Sequence, residues 1–275
     1  MRRIAPLFAL LFVLACQKTD EHAGHTATAT TAAPATNNPA LDPKREAGPL
    51  AEFGNGGRGY LTVPNQPGRK PAVIVIQEWW GVNDWIRQQA DRFSGQGYVA
   101  LAVDLYRGKV TTSMEEAHEL SRGLPEDRAI ADLKAAVDYL SARDDVDPQR
   151  IGVIGWCLGG GYALALATHD PRVKATVINY GRLVTDSNAI TKINGPVLGN
   201  FGSADRGIPA EDVKKFGAEL TKYGKLGDIK IYEGAGHAFM NPDNKQGYDA
   251  AATQDAWSRI DGFFDRNLRA NMPNS

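Results

Sequence analysis

The sequence IGVIGWCLGGG, residues 151–161, places a thiol in a glycine-rich turn. Its apolar first half predicts a short buried strand, and the small residues after Cys157 predict a helix. Gly155 and Gly159 flank Cys157 in the pattern G-x-C-x-G, which is typical of a sharp strand-to-helix turn with a reactive side chain at its apex. A helix dipole that begins beneath the sulphur favours a thiolate. We therefore predict that Cys157 is a nucleophile.

Outward from this turn, apolar strands alternate with amphipathic helices. The predicted strands are 60–63 (at a sheet edge), 72–77, 98–103, 151–155, 175–180, 197–201 and 229–232, and the predicted helices are 85–96, 128–143, 158–168, 211–223 and 246–268. This alternation predicts an α/β fold, in which helices cover both faces of a mostly parallel central sheet. In such sheets, binding and catalytic groups lie at the carboxyl ends of the strands.

Two further polar residues stand just past predicted strands. Asp205 follows strand 197–201, and His237 lies in a glycine-flanked loop after strand 229–232. The chain order of nucleophile, acid and histidine is that of the α/β-hydrolase fold, which predicts a Cys157–His237–Asp205 triad. Asp186 is a weaker alternative for the acid. For each residue the alternative is structural: a buried thiol, a capping aspartate, or a surface histidine.

Four blocks of sequence together resemble the dienelactone hydrolase (carboxymethylenebutenolidase) family of α/β hydrolases. They are QEWWGVN at 77–83, DLY at 104–106, GWCLGG at 155–160 and GHAF at 236–239. The resemblance runs in order from about residue 50 to about residue 270. It implies a hydrolase in which the cysteine attacks the carbonyl of an ester or a lactone.

The resemblance also implies a role for each site residue. A glutamate at the Glu78 position takes part in converting the thiol to a thiolate. The histidine protonates the leaving group and activates water, and the aspartate orients the histidine. The backbone N–H groups of Leu158 and Trp79 would form the oxyanion hole. For Glu78, the alternative is a structural carboxylate paired with a neighbour, because an unpaired buried carboxylate is costly.

The expected substrate contacts depart from the family pattern. The members that cleave dienelactone hold the substrate carboxylate with two arginines. Arg107 or a neighbour stands near the first position, but Asn241 occupies the second, four residues after the histidine. Without this bidentate arm, we expect anionic lactones to bind less well than neutral esters. Trp79 and Trp80 add aromatic bulk at the mouth of the site, either for substrate binding or for packing.

The N-terminus predicts export. Residues 1–15 have two arginines followed by an apolar stretch too short to span a bilayer, which is typical of a secretory signal. The sequence VLAC at 13–16 resembles a lipoprotein cleavage site and predicts lipidation of Cys16. The alternative is an ordinary signal peptide. Residues 16–47, rich in Ala, Thr and Pro, predict a flexible linker, and residues 48–275 form the predicted hydrolase domain.

Composition excludes several classes of protein. The formal net charge of −1 gives no basic surplus for binding nucleic acid. Two cysteines in unrelated contexts cannot form a disulfide framework or a zinc site. We expect no cofactor and no metal. The expected partners are an ester or lactone substrate and, through the lipid anchor, a membrane of the bacterial cell envelope. We expect a monomer.

Two other functions stay open at this point. A chain with this fold can be a binding module that has lost catalysis, although all three triad residues are present here. Alternatively, Cys157 can be a redox-reactive thiol, although no resolving cysteine is available once Cys16 is lipidated.

Overall fold

The apolar segments of the sequence form one eight-stranded sheet. The computed structural model of the chain describes residues 50–54 and 56–269. In chain order the strands are β1 (Leu50–Phe53), β2 (Gly57–Thr62), β3 (Lys70–Ile76), β4 (Val99–Val103), β5 (Val146–Trp156), β6 (Val173–Asn179), β7 (Val197–Gly202) and β8 (Gly227–Tyr232).

The order of strands across the sheet is β1-β2-β4-β3-β5-β6-β7-β8. β1 pairs antiparallel with β2, and β2 with β4, whereas all other neighbours are parallel. The mostly parallel sheet is therefore confirmed. The prediction of residues 60–63 as an edge strand is wrong, because β1 pairs with the outer side of β2, with Leu50 opposite Tyr60.

The central strands are covered on both faces. Every residue of β3 and of β4 is buried, as expected for continuous apolar runs in a parallel sheet. Along β3, Val73 and Val75 join a core that includes residues of the first and last helices. Ile74 and Ile76, between and beyond them, join a second core on the opposite face. The period of two along the strand thus divides the apolar side chains between two layers of helices.

Seven α-helices surround the sheet in the described part of the chain. They are α1 (Asp84–Gly95), α2 (Met114–Arg122), α3 (Glu126–Ser141), α4 (Leu158–His169), α5 (Ser187–Lys192), α6 (Ala210–Lys222) and α7 (Ala250–Phe264), and α7 continues into a π-helical turn, Asp265–Arg269. The helix predicted over 246–268 begins later, because the Asp249 side chain caps its first turn by accepting a hydrogen bond from the N–H of Ala252. No helix within 50–54 and 56–269 combines the length and the apolar character needed to cross a bilayer.

Two of these helices, α2 and α5, are not predicted from the sequence. α2 is mostly charged and buries only Ala117. α5 has six residues, and the Asp186 side chain caps it by accepting from the N–H groups of Asn188 and Ala189. Such short segments contain few repeats of the apolar period on which helix prediction depends.

The parallel strands bring five polar side chains to one edge of the sheet. β3, β5, β6, β7 and β8 are consecutive parallel neighbours, so their carboxyl ends all lie at this edge. The residues with titratable side chains that follow them are, in the same order, Glu78, Cys157, Tyr180, Asp205 and His237.

Candidate active site

Cys157 occupies a strained turn between β5 and α4. Its backbone has φ 54° and ψ −118°, a conformation that residues with a Cβ rarely adopt. The backbone N–H of Cys157 donates to the carbonyl of Asn179 at 3.0 Å, which ties the turn to the neighbouring strand β6. Strain of this kind persists only when the surroundings hold it, and it is common at functional sites.

The two glycines that flank Cys157 are required by close backbone approach. A Cβ on Gly155 would lie 2.0 Å from the carbonyl oxygen of Gly159. A Cβ on Gly159 would lie 2.3 Å from the carbonyl oxygen of Ile76, at the end of β3. The small residues of the G-x-C-x-G pattern therefore let the turn approach the segment that carries Glu78.

His237 and Asp205 form a hydrogen-bonded pair beside this turn. His237 Nδ1 lies 2.7 Å from Asp205 Oδ2. Asp205 is buried, and its Oδ1 accepts from the backbone N–H groups of Gly207 at 2.8 Å and Ile208 at 3.1 Å. Every oxygen of this carboxylate is therefore occupied, and the imidazole is held in one orientation.

This pairing changes the proton affinity of both groups. Burial raises the pKa of Asp205, but the hydrogen bond and charge of His237, together with the hydrogen bonds from the N–H groups of Gly207 and Ile208, outweigh it and keep the pKa below its usual value. Burial likewise lowers the pKa of His237. The hydrogen bonds with Asp205 and Cys157 oppose this effect and raise the pKa of His237 to about 10. His237 is thus placed to hold a proton between the carboxylate and the sulphur.

Glu78 approaches the site from the other side, just after β3. It is only 2% exposed. Its Oε2 accepts a hydrogen bond from Asn241 Nδ2 at 2.6 Å, whereas its Oε1 is buried without a hydrogen-bond partner. Burial raises the pKa of Glu78 to about 7, against the opposing effects of Asn241 and the charge of His237. This carboxyl can therefore take up or release a proton near neutral pH.

Tyr180 is a site residue that the sequence reading does not identify. It follows β6 with φ 40°, is fully buried, and its hydroxyl has no hydrogen-bond partner. Its ring contacts the ring of His237 edge-on, with 5.3 Å between centroids. The sequence does contain one indication of this position, because Tyr180 ends a predicted buried strand. It therefore stands at the edge of a parallel sheet where binding and catalytic groups lie.

The two predicted oxyanion donors stand on either side of the turn. Leu158 is the first residue of α4, where backbone N–H groups have no partner inside the helix. Trp79 lies in the turn after Glu78 and contacts both Trp80 and His118 edge-on, at centroid distances of 4.8 Å each. The aromatic wall predicted at the site mouth therefore extends to α2 through His118.

The two predicted substrate-binding polar residues both have partners within the protein. Arg107 donates from Nη2 to both carboxylate oxygens of Asp132 on α3, at 2.7 and 2.9 Å, and also contacts the carbonyl of Gly56. The Asn241 amide donates to Glu78, and its oxygen accepts from the backbone N–H of Asp243. A substrate contact by Arg107 would first have to break an ion pair.

Asp186, the alternative acid, has a different role in this structure. Both of its carboxylate oxygens accept from the first-turn N–H groups of α5. The partner of His237 among the described carboxylates is Asp205. The predictions for residues 1–47, including the signal peptide, the linker and the lipidation of Cys16, lie outside the described residues.

Comparison with known proteins decides the family. The dienelactone hydrolase family model matches residues 58–268. The chain belongs to the dienelactone hydrolase family. A relative from Methylorubrum extorquens, named "Putative carboxymethylenebutenolidase", is 36% identical over 219 residues, which are 74% of this chain and 75% of the relative. A relative of the same name from Synechocystis is 34% identical over 228 residues, 77% of this chain and 92% of that protein.

A solved structure agrees with this assignment. The crystal structure of a "Putative Dienelactone Hydrolase" from Klebsiella pneumoniae superposes with a TM-score of 0.71 at 30% identity, covering 78% of this chain and 95% of that one. The α/β-hydrolase fold and the resemblance to dienelactone hydrolases are therefore confirmed. As a member of the family, the chain is a hydrolase of carboxylic esters or lactones.

Proposed function

We propose that the chain hydrolyses carboxylic esters or lactones through a covalent thioester on Cys157. The observation that carries this proposal is the position of His237, which bonds Asp205 at 2.7 Å and interacts with the thiol at the same time. A histidine oriented by a carboxylate on one nitrogen and facing a nucleophile with the other is the arrangement required for acyl transfer.

In the first step, the Cys157 sulphur attacks the substrate carbonyl as Glu78 takes up the thiol proton. The new S–C bond forms a tetrahedral intermediate, whose oxyanion faces the backbone N–H groups of Leu158 and Trp79. The C–O bond then breaks, and His237 donates its proton to the leaving oxygen. The alcohol, or the opened end of a lactone, is released and a thioester remains.

In the second step, water attacks the thioester. The neutral His237 ring removes a proton from this water, and Asp205 stabilises the resulting imidazolium. The C–S bond breaks, the carboxylic acid product leaves, and the thiolate recovers a proton from Glu78. A cleft of about 390 Å³ is lined by His237 and residues 204–207.

We also propose that neutral esters are better substrates than lactones that carry a carboxylate. The amide of Asn241, which stands where the family has its second arginine, is bound to Glu78. The guanidinium of Arg107 is bound to Asp132, so neither residue is available to a substrate carboxylate without rearrangement. A substrate anion would have to compete with these contacts, whereas a neutral acyl group would not.

The test is turnover of a chromogenic short-chain ester by the full chain and by Cys157→Ala, followed by a screen of esters, lactones and thioesters with and without carboxylates. Acid quench and mass spectrometry should detect the acyl group on the peptide that contains Cys157. The proposal fails if the wild type shows no turnover above the Cys157→Ala variant. A preference for anionic lactones would contradict the role given to Asn241.

We further propose that the protein is exported to the bacterial cell envelope as a lipid-anchored monomer. This rests on the sequence alone, on the apolar N-terminal segment and on VLAC at 13–16. Mass spectrometry of the mature N-terminus in the native host should find diacylglycerol on Cys16, and Cys16→Ser should release the protein from membranes. Sedimentation in detergent should give the mass of one chain, and a larger mass would contradict the monomer.

A further inference from the structure

Two buried polar atoms of the candidate site lack hydrogen bonds. Glu78 Oε1 and the Tyr180 hydroxyl are both fully shielded from solvent, and neither has a partner. A buried donor or acceptor without a partner destabilises the folded state, so two at one place require an explanation. The two groups are neighbours and act on each other: the hydroxyl lowers the pKa of the Glu78 carboxyl, and the carboxyl raises the pKa of the phenol, which the backbone of Met240 opposes.

The other groups that act on the Glu78 carboxyl come from two elements. The loop after β8 supplies the amide of Asn241, which holds Oε2, together with the charges of His237 and Asp243. His237 lowers the pKa of Glu78 and Asp243 raises it. The end of β6 supplies Tyr180. No full cation is bonded to Glu78 among the described residues, and the donor that is bonded to it is the neutral amide of Asn241.

The Tyr180 hydroxyl is fixed in place by its backbone and its ring. The residue keeps a positive φ of 40°, which is costly for a bulky side chain, and its ring packs edge-on against His237 and Phe239. Burial raises the pKa of this phenol well above its ordinary value, and the charge of Glu78 adds to the effect. The phenol therefore keeps its proton and is a hydrogen-bond donor throughout the working pH range.

We propose that the Tyr180 hydroxyl is a positioning group for Glu78: it donates to Oε1 when the carboxyl is ionised and accepts from Oε1 when the carboxyl has taken the Cys157 proton. A hydroxyl can do both by rotating about its C–O bond, whereas the Asn241 amide can only donate through its nitrogen. The proton moves from sulphur to Oε1, the carboxyl becomes neutral, the sulphur becomes a thiolate, and no further reactant is needed. The inference rests on the proposed function in that Glu78 is the thiol's proton acceptor.

The experiment measures alkylation of Cys157 by neutral iodoacetamide as a function of pH, read by mass spectrometry on the Cys157 peptide of the full chain. The wild-type rate should rise with a midpoint near the Glu78 pKa of about 7. In Tyr180→Phe, which keeps the ring, the midpoint should move up by about one pH unit. At pH 7 the alkylation rate should then fall roughly fivefold, because the ionised fraction of the carboxyl falls by that factor.

Tyr98→Phe is the matched control, because Tyr98 is a buried tyrosine whose hydroxyl bonds Asp265 away from the site. Its profile should superimpose on that of the wild type. An infrared titration of the protonated Glu78 carboxyl, identified by its loss in Glu78→Gln, gives the midpoint without any reaction at sulphur. An unmoved infrared midpoint in Tyr180→Phe would overturn the inference.

The two measurements separate this inference from the function on which it rests. If Glu78→Gln and the wild type give the same alkylation profile, then Glu78 is not the base for the thiol, and that step of the proposed function fails. The shift of the infrared midpoint in Tyr180→Phe would still decide whether Tyr180 holds the carboxyl. Absence of ester turnover affects only the proposed function.

Discussion

Two carboxylates of the candidate site stand in opposite environments. Asp205 has hydrogen bonds on both oxygens, from His237 and from two backbone N–H groups, and its pKa is held below the usual value. Glu78 has one hydrogen bond, from the neutral amide of Asn241, and one unpartnered oxygen, and its pKa is raised to about 7. Both side chains are shielded from solvent. Burial is the largest cause of the raised pKa of Glu78, whereas the partners of Asp205 together outweigh its burial.

The difference assigns a separate task to each carboxylate. A carboxylate with every oxygen satisfied stays ionised and serves to orient and stabilise a neighbouring imidazolium. A carboxyl with a free oxygen and a pKa near neutrality can exchange a proton during a reaction. Environments that push the pKa values of two like groups apart commonly identify the acid, base and orienting roles in an active site. The predictions below test this division.

The largest effect is expected from removing the charge of Asp205. Asp205→Asn should lower kcat for a neutral ester by a factor on the order of 10⁴, because an amide at this position favours the wrong imidazole tautomer. Asp186→Asn is the matched control, since Asp186 caps α5, and it should leave kcat within about twofold. Steady-state kinetics on both variants checks this, and equal losses would remove Asp205 from the proposed triad.

Stability should depend on pH in opposite directions for the two groups. Glu78 has an ordinary pKa of 4.5 and a folded pKa of about 7, so the folded state binds its proton more tightly. Its contribution to the free energy of unfolding should therefore fall by roughly 3 kcal/mol as pH rises from 4.5 to 7. The folded pKa of Asp205 is lowered, so its contribution is present at neutral pH and is lost as pH falls through that folded pKa.

Urea unfolding of the wild type and Glu78→Gln at several pH values between 4.5 and 7.5 measures this effect. The difference between the two proteins should change in favour of the variant as pH rises, because the variant has no charge to bury. Glu52→Gln, at an exposed position of β1, should follow the wild type throughout. Parallel curves for the wild type and Glu78→Gln would show that Glu78 does not titrate in this range.

The same Glu78→Gln substitution should lower kcat/KM by about 10²-fold, the lower part of the range for loss of a positioned proton acceptor. The loss should be smaller than that for Asp205→Asn, because His237 still serves the leaving group and the water. The pH–rate profile should also lose its limb near pH 7. A variant that keeps this limb would assign it to a group other than Glu78.

The smallest effect is expected at a third carboxylate, that of Asp132, which forms an ion pair with Arg107. Arg107→Gln should lower the free energy of unfolding by about 1 kcal/mol, because its half-buried ion pair with Asp132 is lost. KM for a neutral ester should not change. Asp132→Asn should produce the same pattern. A rise in KM for a carboxylate-bearing lactone in Arg107→Gln alone would instead show that Arg107 binds substrate.

Some residues of the candidate site can be predicted from the sequence, and others cannot. Cys157, Asp205 and His237 are predicted from the sequence because each follows a recognisable apolar strand, in a chain order with known chemical meaning. Tyr180 follows such a strand too, but tyrosine at a strand end has many structural roles and gives no signal of its own. Asn241 was interpreted as a missing substrate contact, because the sequence cannot show that its amide is used by Glu78.

The strands and helices of the fold likewise include some that the sequence predicts and some that it does not. Buried parallel strands were predicted from their apolar runs, whereas β1 was missed and α2 has too few buried residues to produce a periodic pattern. Their places depend on pairing with distant segments, such as Leu50 with Tyr60. Pairing between distant segments leaves no local sequence pattern, so such elements cannot be predicted from the sequence around them.

The sequence by itself determined the strand-to-helix turn at Cys157, the order of the polar residues that follow the strands, and the family. These depend on local spacing, because glycine placement and apolar period are properties of neighbouring residues. Only the tertiary structure decided which donors each carboxylate receives, and therefore which one keeps its charge and which can exchange a proton. That distinction arises between Glu78 and Asn241, 163 residues apart in the chain, where burial and hydrogen bonding act on a single carboxyl.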